Sequence, residues 1–237
     1  MEDVAPHLLK EIEDKFFDKV KNNKWVQNFL ENMQKGQATV YDVNLFASNL
    51  GRMLGETFVD VLNQDMLPDG KLYWNIAERT MIPMIEKNYE LINECARGVQ
   101  KIEDMKKGIG LKTIKAKKPK ERIKGLIDNV TVEGLPFEEV QRRMKENVVN
   151  ISESFYDDFV KENADFRFRA GLGTQIIRVL KGKKPCVWCQ SLAGKYDYAE
   201  VKDTGNDVFR RHENCHCQVV FVNHKQKYIE NVHTKKR

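Results

Sequence analysis

The chain has 237 residues, of which 41% are hydrophobic and 32% charged, and its formal net charge is +5. That length exceeds one domain of the commonest size and falls short of two, and the apolar share suffices for a buried core, which excludes a disordered chain. The opening MEDVAPHLLKEIEDKFF mixes acids with apolar residues, and no stretch approaches the roughly 18 apolar residues of a membrane span, so neither a secretory signal nor a membrane anchor is expected. A soluble product made in a reducing cytoplasm is the expectation.

In chain order, Leu8, Leu9, Ile12, Phe16, Phe17 and Val20 recur at helical spacing behind Pro6, a residue suited to a first helical turn. A second helix is predicted over residues 24–33, stopping near Gly36. Thr39 and Asp42 form a candidate capping pair ahead of an apolar stripe of Val43, Phe46, Leu50, Leu54, Phe58, Val61 and Leu62. Pro68-Asp69-Gly70 reads as a turn. Helical periodicity resumes at Leu72, Trp74 and Ile76, is perturbed at Pro83, and continues through Ile85, Tyr89, Ile92 and Val99. These stripes predict a helical bundle, with the isolated Cys95 as a small buried apolar side chain.

The pattern breaks at KKGIGLKTIKAKKPKERIKG. Residues 101–125 hold ten Lys/Arg against three Asp/Glu, so the rest of the chain is slightly acidic. Lys106, Lys107, Lys112, Lys115, Lys117, Lys118, Lys120, Arg122 and Lys124 read either as a solvated linker or as non-specific phosphate contacts to double-stranded DNA. The run contains no aromatic residue, so base stacking is not expected. One helix is then predicted after Pro136 (Phe137, Val140, Met144) and another over 151–160. GTQIIRVLKG has the β-branched content of a strand or short helix end, and QVVFV is a strand.

The fold class implied is α+β, without internal repeats. It comprises a helical domain over residues 1–105, a basic linker or arm over 106–135, and a C-terminal module over 136–237 with short strands and a metal knuckle at 186–217.

Four of the five cysteines lie in that knuckle, as Cys186-Val-Trp-Cys189 and His212-Glu-Asn-Cys215-His-Cys217. Clustering of this kind in a reducing compartment points to metal before disulfides. Cys-x-x-Cys puts two thiolates on one turn, and Cys-x-Cys leading into a strand sends two sulfurs to one face. Soft ligands with tetrahedral preference select zinc. Cys186, Cys189, His212, Cys215 and Cys217 are the candidate ligands, and either four cysteines or three with His212 would complete the site.

A saturated shell leaves no open position for a reactive water, so the zinc is expected to be structural and the protein not an enzyme. A nucleobase deaminase needs His-x-Glu upstream of Pro-Cys-x-x-Cys, and here His212 and Glu213 are adjacent and downstream. A ββα-metal nuclease is the more serious rival, recruiting Arg210, Arg211, His212, Asn214 and His216. The favoured assignment keeps His212 as a ligand, Asn214 in the knuckle turn and His216 in solvent.

Cys186-x-x-Cys189, Leu192-Ala193-Gly194-Lys195, a spacer, and His212-x-x-Cys215-x-Cys217 resemble the C-terminal region of phage minor head proteins, the Mu F-like head morphogenesis group. Ala193 stands where that group commonly has Asp, Glu213 replaces a Pro and His216 an Arg. The run from Asp207 to Cys217 is similar to the variant in prophages of Gram-positive bacteria, and the match covers roughly residues 165–222. The resemblance implies a structural virion component, made in the bacterial host cytoplasm and associated with the portal protein or the major capsid protein during head assembly and DNA packaging. Larger members carry toxin or transferase domains after the knuckle, and only 20 residues follow Cys217 here. A zinc-containing nuclease or nucleic-acid-processing enzyme is the alternative, and a phage-derived module serving host regulation or defence is a third reading.

Overall fold

The computed structural model describes residues 3–181, 185–202, 207–212 and 215–224. Helices α1 (Ala5–Asn22) and α2 (Lys24–Gln34) meet at Asn23, whose side chain accepts from the Val26 amide and starts α2. Thr39 and Asp42 close the expected capping box ahead of α3 (Val40–Val61): Thr39 N–H donates to Asp42 Oδ2 at 2.8 Å, and Asp42 N–H to Thr39 Oγ1 at 3.3 Å. The Pro68–Gly70 turn is a single 3₁₀ turn with Asp69 at φ 53°. Helix α4 (Trp74–Lys107) continues past Pro83 without a break and ends at Gly108, in the left-handed conformation that favours glycine.

The chain beyond Pro136 differs from its sequence reading. One 33-residue helix, α6 (Phe137–Arg169), replaces the two expected. The polar stretch between Met144 and Ile151 contains neither glycine nor proline, and Val148 within it is fully buried. Polarity there marks the solvent side of a continuous amphipathic helix, not an interruption.

Helix α6 lies against α3 at unusually close range because α3 presents Gly51 and Gly55, four residues apart on one face. A Cβ at Gly51 would sit 2.8 Å from Ser152 Cβ and 2.9 Å from Val149 Cα, and one at Gly55 would sit 3.1 Å from Lys145 Cα. Alanine should gain about 1 kcal/mol of helix propensity over glycine. Gly51→Ala must nevertheless push two backbones apart, and overpacking of that kind costs about 1–3 kcal/mol. A lowered urea midpoint with unchanged m-value is the expected result; a raised midpoint would contradict the close approach.

The basic segment is held down along its length. Its last part forms α5 (Lys120–Val130), which buries Ile123, Leu126, Ile127 and Val130 in the same apolar cluster as the other helices. Between α4 and α5 the backbone is extended, and helix side chains take the place of a pairing strand. Asn163 on α6 accepts from Ile114 N–H and donates to Ile114 C=O, both at 2.9 Å. Asn93 accepts from Ala116 N–H at 3.2 Å, Glu162 accepts from Lys117 N–H at 2.9 Å, and Tyr89 Oη donates to Ala116 C=O. Buried backbone polar groups demand partners, and these amides and hydroxyls supply them.

The strands come late: β1 (Gly173–Val179), then α7 (Val187–Leu192), β2 (Gly194–Asp197), α8 (Tyr198–Val201) and β3 (Gln218–His224). β1 is central in an antiparallel β2-β1-β3 sheet, with Ile176 opposite Tyr196 and Phe221. Ile176, Val219, Val220 and Phe221 join the buried cluster that also contains Leu8, Leu50, Ile85 and Phe155. Helices and strands therefore share one core. A buried ion pair strengthens the seam: Arg167 on α6 meets Asp104 on α4 at 2.5 and 2.8 Å and reaches Asn223 on β3 at 3.4 Å. The class is α+β as expected: mostly helical, with a small sheet near the C-terminus.

Candidate metal centre

Two segments far apart in the sequence converge beside β1. Cys186 caps α7, its sulfur accepting from the Cys189 amide at 3.3 Å, so the first turn of that short helix aims both thiols the same way. Cys215 and Cys217 stand immediately before β3, where two-residue alternation turns both inward. Cys189, Cys215 and Cys217 are each 3% exposed or less, whereas Cys186 lies at the surface.

The ligand atoms of Cys186, Cys189 and His212 lie within 4.8 Å of one another, as do those of Cys189, Cys215 and Cys217. Cys189 belongs to both groups. Its sulfur is 3.0 Å from His212 Nε2 and 3.6 Å from Cys215 Sγ, and Cys186 Sγ is 3.2 Å from the same imidazole nitrogen. Bonds of about 2.3 Å from one tetrahedral ion imply ligand–ligand edges of somewhat under 4 Å, so these spacings fit a shared ion. All five candidate ligands fall in the cluster, which can hold a metal ion.

Electrostatics inside the cluster are uneven. Burial pushes the Cys189 and Cys215 thiols up, and the Cys189 amide pulls Cys186 down. Metal binding must displace the thiol protons and so works against that burial. Cys95 is remote, buried on α4, and its thiol is pushed up to about 12 by burial, consistent with a packing role.

Helix α6 carries the seat of this cluster, which the sequence reading did not identify. Asn150, Glu153 and Asp157 follow one another at i, i+3 and i+7, along one face. Asn150 Nδ2 donates to His212 C=O at 3.1 Å. Arg211 donates to Glu153 at 2.9 Å, to both oxygens of Asp157, one of them at 3.0 Å, and to Cys215 C=O at 3.1 Å. All three charged side chains are 4% exposed or less. Burial pushes Glu153 up to about 7 against the pull of Arg211, and Asp157 also rises through burial. Burial works against the Arg211 charge as well, but Asp157 and Glu153 outweigh it and hold the guanidinium firmly protonated. One arginine next to a candidate ligand thus ties the second segment of the knuckle to the bundle.

The histidines separate cleanly. His212 turns its ring nitrogen into the cluster, and Trp188 packs edge-on against that ring at 5.4 Å. His216 is exposed and in neither ligand group. Arg210 is exposed at the rim of a polar groove of about 660 Å³ that also includes Arg122, Asp158 and Lys161. Asn214 lies outside the described residues.

Of the nine cations singled out for phosphate contact, five make ion pairs: Lys106 and Lys107 with Glu103, Lys115 with Glu90, Lys118 with Glu86 and Arg122 with Asp158. Lys112, Lys117, Lys120 and Lys124 are exposed and make no ion pair with the described residues. No helix among the described residues is long and apolar enough to cross a membrane.

No curated protein and no solved structure matches the chain. The VG15 protein family matches it over residues 112–236. That span starts in the extended basic segment and takes in α5, α6, the sheet and every candidate ligand. A match over more than half of the sequence, centred on the helix and knuckle that build the site, places this chain in the VG15 protein family, a phage-type family.

Proposed function

We propose that the protein is a minor structural component of a phage head, seated at the portal or on the capsid interior, and that its cysteine cluster holds one zinc ion which folds the knuckle. The observation that carries this reading is the cluster itself. Four thiols and an imidazole form two groups of three that share Cys189, enough soft ligands for protein atoms to fill a tetrahedral shell and exclude a reactive water. The family match supplies the phage context, and the motif resemblance supplies the head. Thiolate softness favours zinc over magnesium or calcium.

In this reading the protein is not an enzyme. Its partners are the portal protein, the major capsid protein or both, and its location is the virion. Lys112, Lys117, Lys120 and Lys124 give weak, salt-dependent contact with packaged double-stranded DNA through phosphates alone. The polar groove bordering the cluster is the feature a nuclease would use, but its carboxylates are committed: Asp157 to Arg211 and Asp158 to Arg122.

Co-expression with the portal and major capsid proteins of its phage tests the assignment. A complex that survives size-exclusion chromatography, and purified particles containing this chain by mass spectrometry, are the expected results. A chain that stays apart from both partners would contradict the proposal. So would plasmid cleavage in added divalent metal that His212→Ala or His216→Ala abolishes, which would establish the nuclease instead.

A further inference from the structure

β1 alternates buried and half-buried positions, and its buried face presents Thr174, Ile176 and then Arg178. Ile176 enters the core, and two residues later the same face reaches the cysteine cluster. An arginine that is 2% exposed at that point needs a reason. One terminal nitrogen donates to Val208 C=O at 2.6 Å and to Arg210 C=O at 2.9 Å. The other lies 3.6 Å from Cys215 Sγ and 4.0 Å from Cys189 Sγ. The guanidinium also stacks over Trp188, 5.3 Å from the ring centroid, and Trp188 in turn packs against His212.

A fixed positive charge therefore touches two of the sulfurs on one side and, on the other, the backbone that delivers His212. Metal loading turns cysteine thiols into thiolates. A divalent ion with three thiolates and an imidazole keeps one net negative charge, and with four thiolates it keeps two. Hydrogen bonds from a cation to an ionised acceptor are roughly twice as strong as neutral ones. The contacts of Arg178 thus strengthen when the metal binds.

We propose that Arg178 is the buried counter-ion of the metal–thiolate centre, and that it couples metal loading to closure of residues 207–212 over the sheet. This rests on the reading that the cluster holds a metal. Arg178 is a positioning residue: it offsets charge and orients ligands without occupying a coordination position.

Arg178→Met and Arg178→Lys test it in the full-length protein. Zinc affinity would be measured by chelator competition, thermal midpoints with and without zinc, and the thiolate-to-metal band after cobalt substitution. Arg178→Met should weaken zinc binding by about 10–100-fold, the usual effect of removing a group behind the ligands. It should lower the midpoint of the loaded protein far more than that of the metal-free protein, and shift the cobalt band. Arg178→Lys keeps the charge but cannot reach two sulfurs and two carbonyls together, and should fall between. Equal affinity and an unchanged band in Arg178→Met would overturn the proposal, as would equal losses of midpoint with and without zinc, the mark of packing alone. If Arg178→Met does not fold, Arg178→Lys carries the same comparison, and wild-type affinity there overturns the proposal. A wild-type protein that takes up neither zinc nor cobalt fails the underlying reading, a separate outcome.

Discussion

Cys189→Ser is expected to reduce bound metal from about one ion per chain to none and to open residues 180–217 to protease, while far-UV helicity barely changes. Cys189 is singled out because both ligand groups contain it and its sulfur approaches both His212 and Cys215. A serine oxygen is harder and shorter-reaching, so the two halves of the shell lose their common member. Apparent binding energies of structural zinc reach about 10–16 kcal/mol in small peptides, which makes the metal a dominant force on a segment with so little apolar core of its own. The damage should spare β1 and β3, because Ile176, Val219, Val220 and Phe221 are anchored in the bundle core independently of the metal. Cys186→Ser should weaken binding less, since Cys186 is exposed and belongs to a single group. Metal content by elemental analysis and limited proteolysis read the result directly. A Cys189→Ser protein with unchanged protease resistance and melting would show that the knuckle folds without its metal.

Local signals decided how much of this was legible in the sequence. Cys-x-x-Cys and Cys-x-Cys carry their geometry in their spacing, so the candidate ligands could be named without knowing what surrounds them. Thr39 with Asp42, and the apolar stripe of α3, are equally local and appear in the structure as read. Long-range partners were not legible. Arg178 and Arg211 look like surface cations in a list of residues, and they are buried only because β1 and α6 bring sulfurs and carboxylates to them. One signal was available: strand alternation puts Arg178 on the same face as Ile176, a position where a solvated arginine is not expected. Asn150, Glu153 and Asp157 share a helical spacing too, but their face becomes visible only when residues 137–169 are taken as one helix. The ion pairs of the basic segment were hidden for a related reason. Lys115 and Lys118 follow the extended backbone between α4 and α5, where Glu90 and Glu86 lie in register to meet them, a match composition cannot show.

Arg211→Met is the second large effect expected, with a loss of about 3–5 kcal/mol. That is the usual cost of deleting one member of a buried ionic group and leaving its partners unpaired. Glu153 and Asp157 share the Arg211 guanidinium, and all three side chains are almost fully enclosed. Methionine fills comparable volume, so the loss reports charge and hydrogen bonding, with little contribution from a cavity. Arg211 also donates to Cys215 C=O and neighbours His212, so its removal should loosen the knuckle from α6 as well as lower global stability. Urea denaturation of the zinc-loaded protein gives the first quantity, and chelator competition the second. Asp157→Asn combined with Arg211→Met replaces one of the two orphaned carboxyl groups, and the double variant should recover part of the loss, giving a coupling energy of about 1–3 kcal/mol in a mutant cycle. If Arg211→Met instead cost under about 1 kcal/mol, in the range of an exposed pair, α6 would not be the element that seats the metal cluster. The helix and the knuckle would then be neighbours sharing a core, and the single 33-residue span of α6 would owe its length to the α3 contact alone.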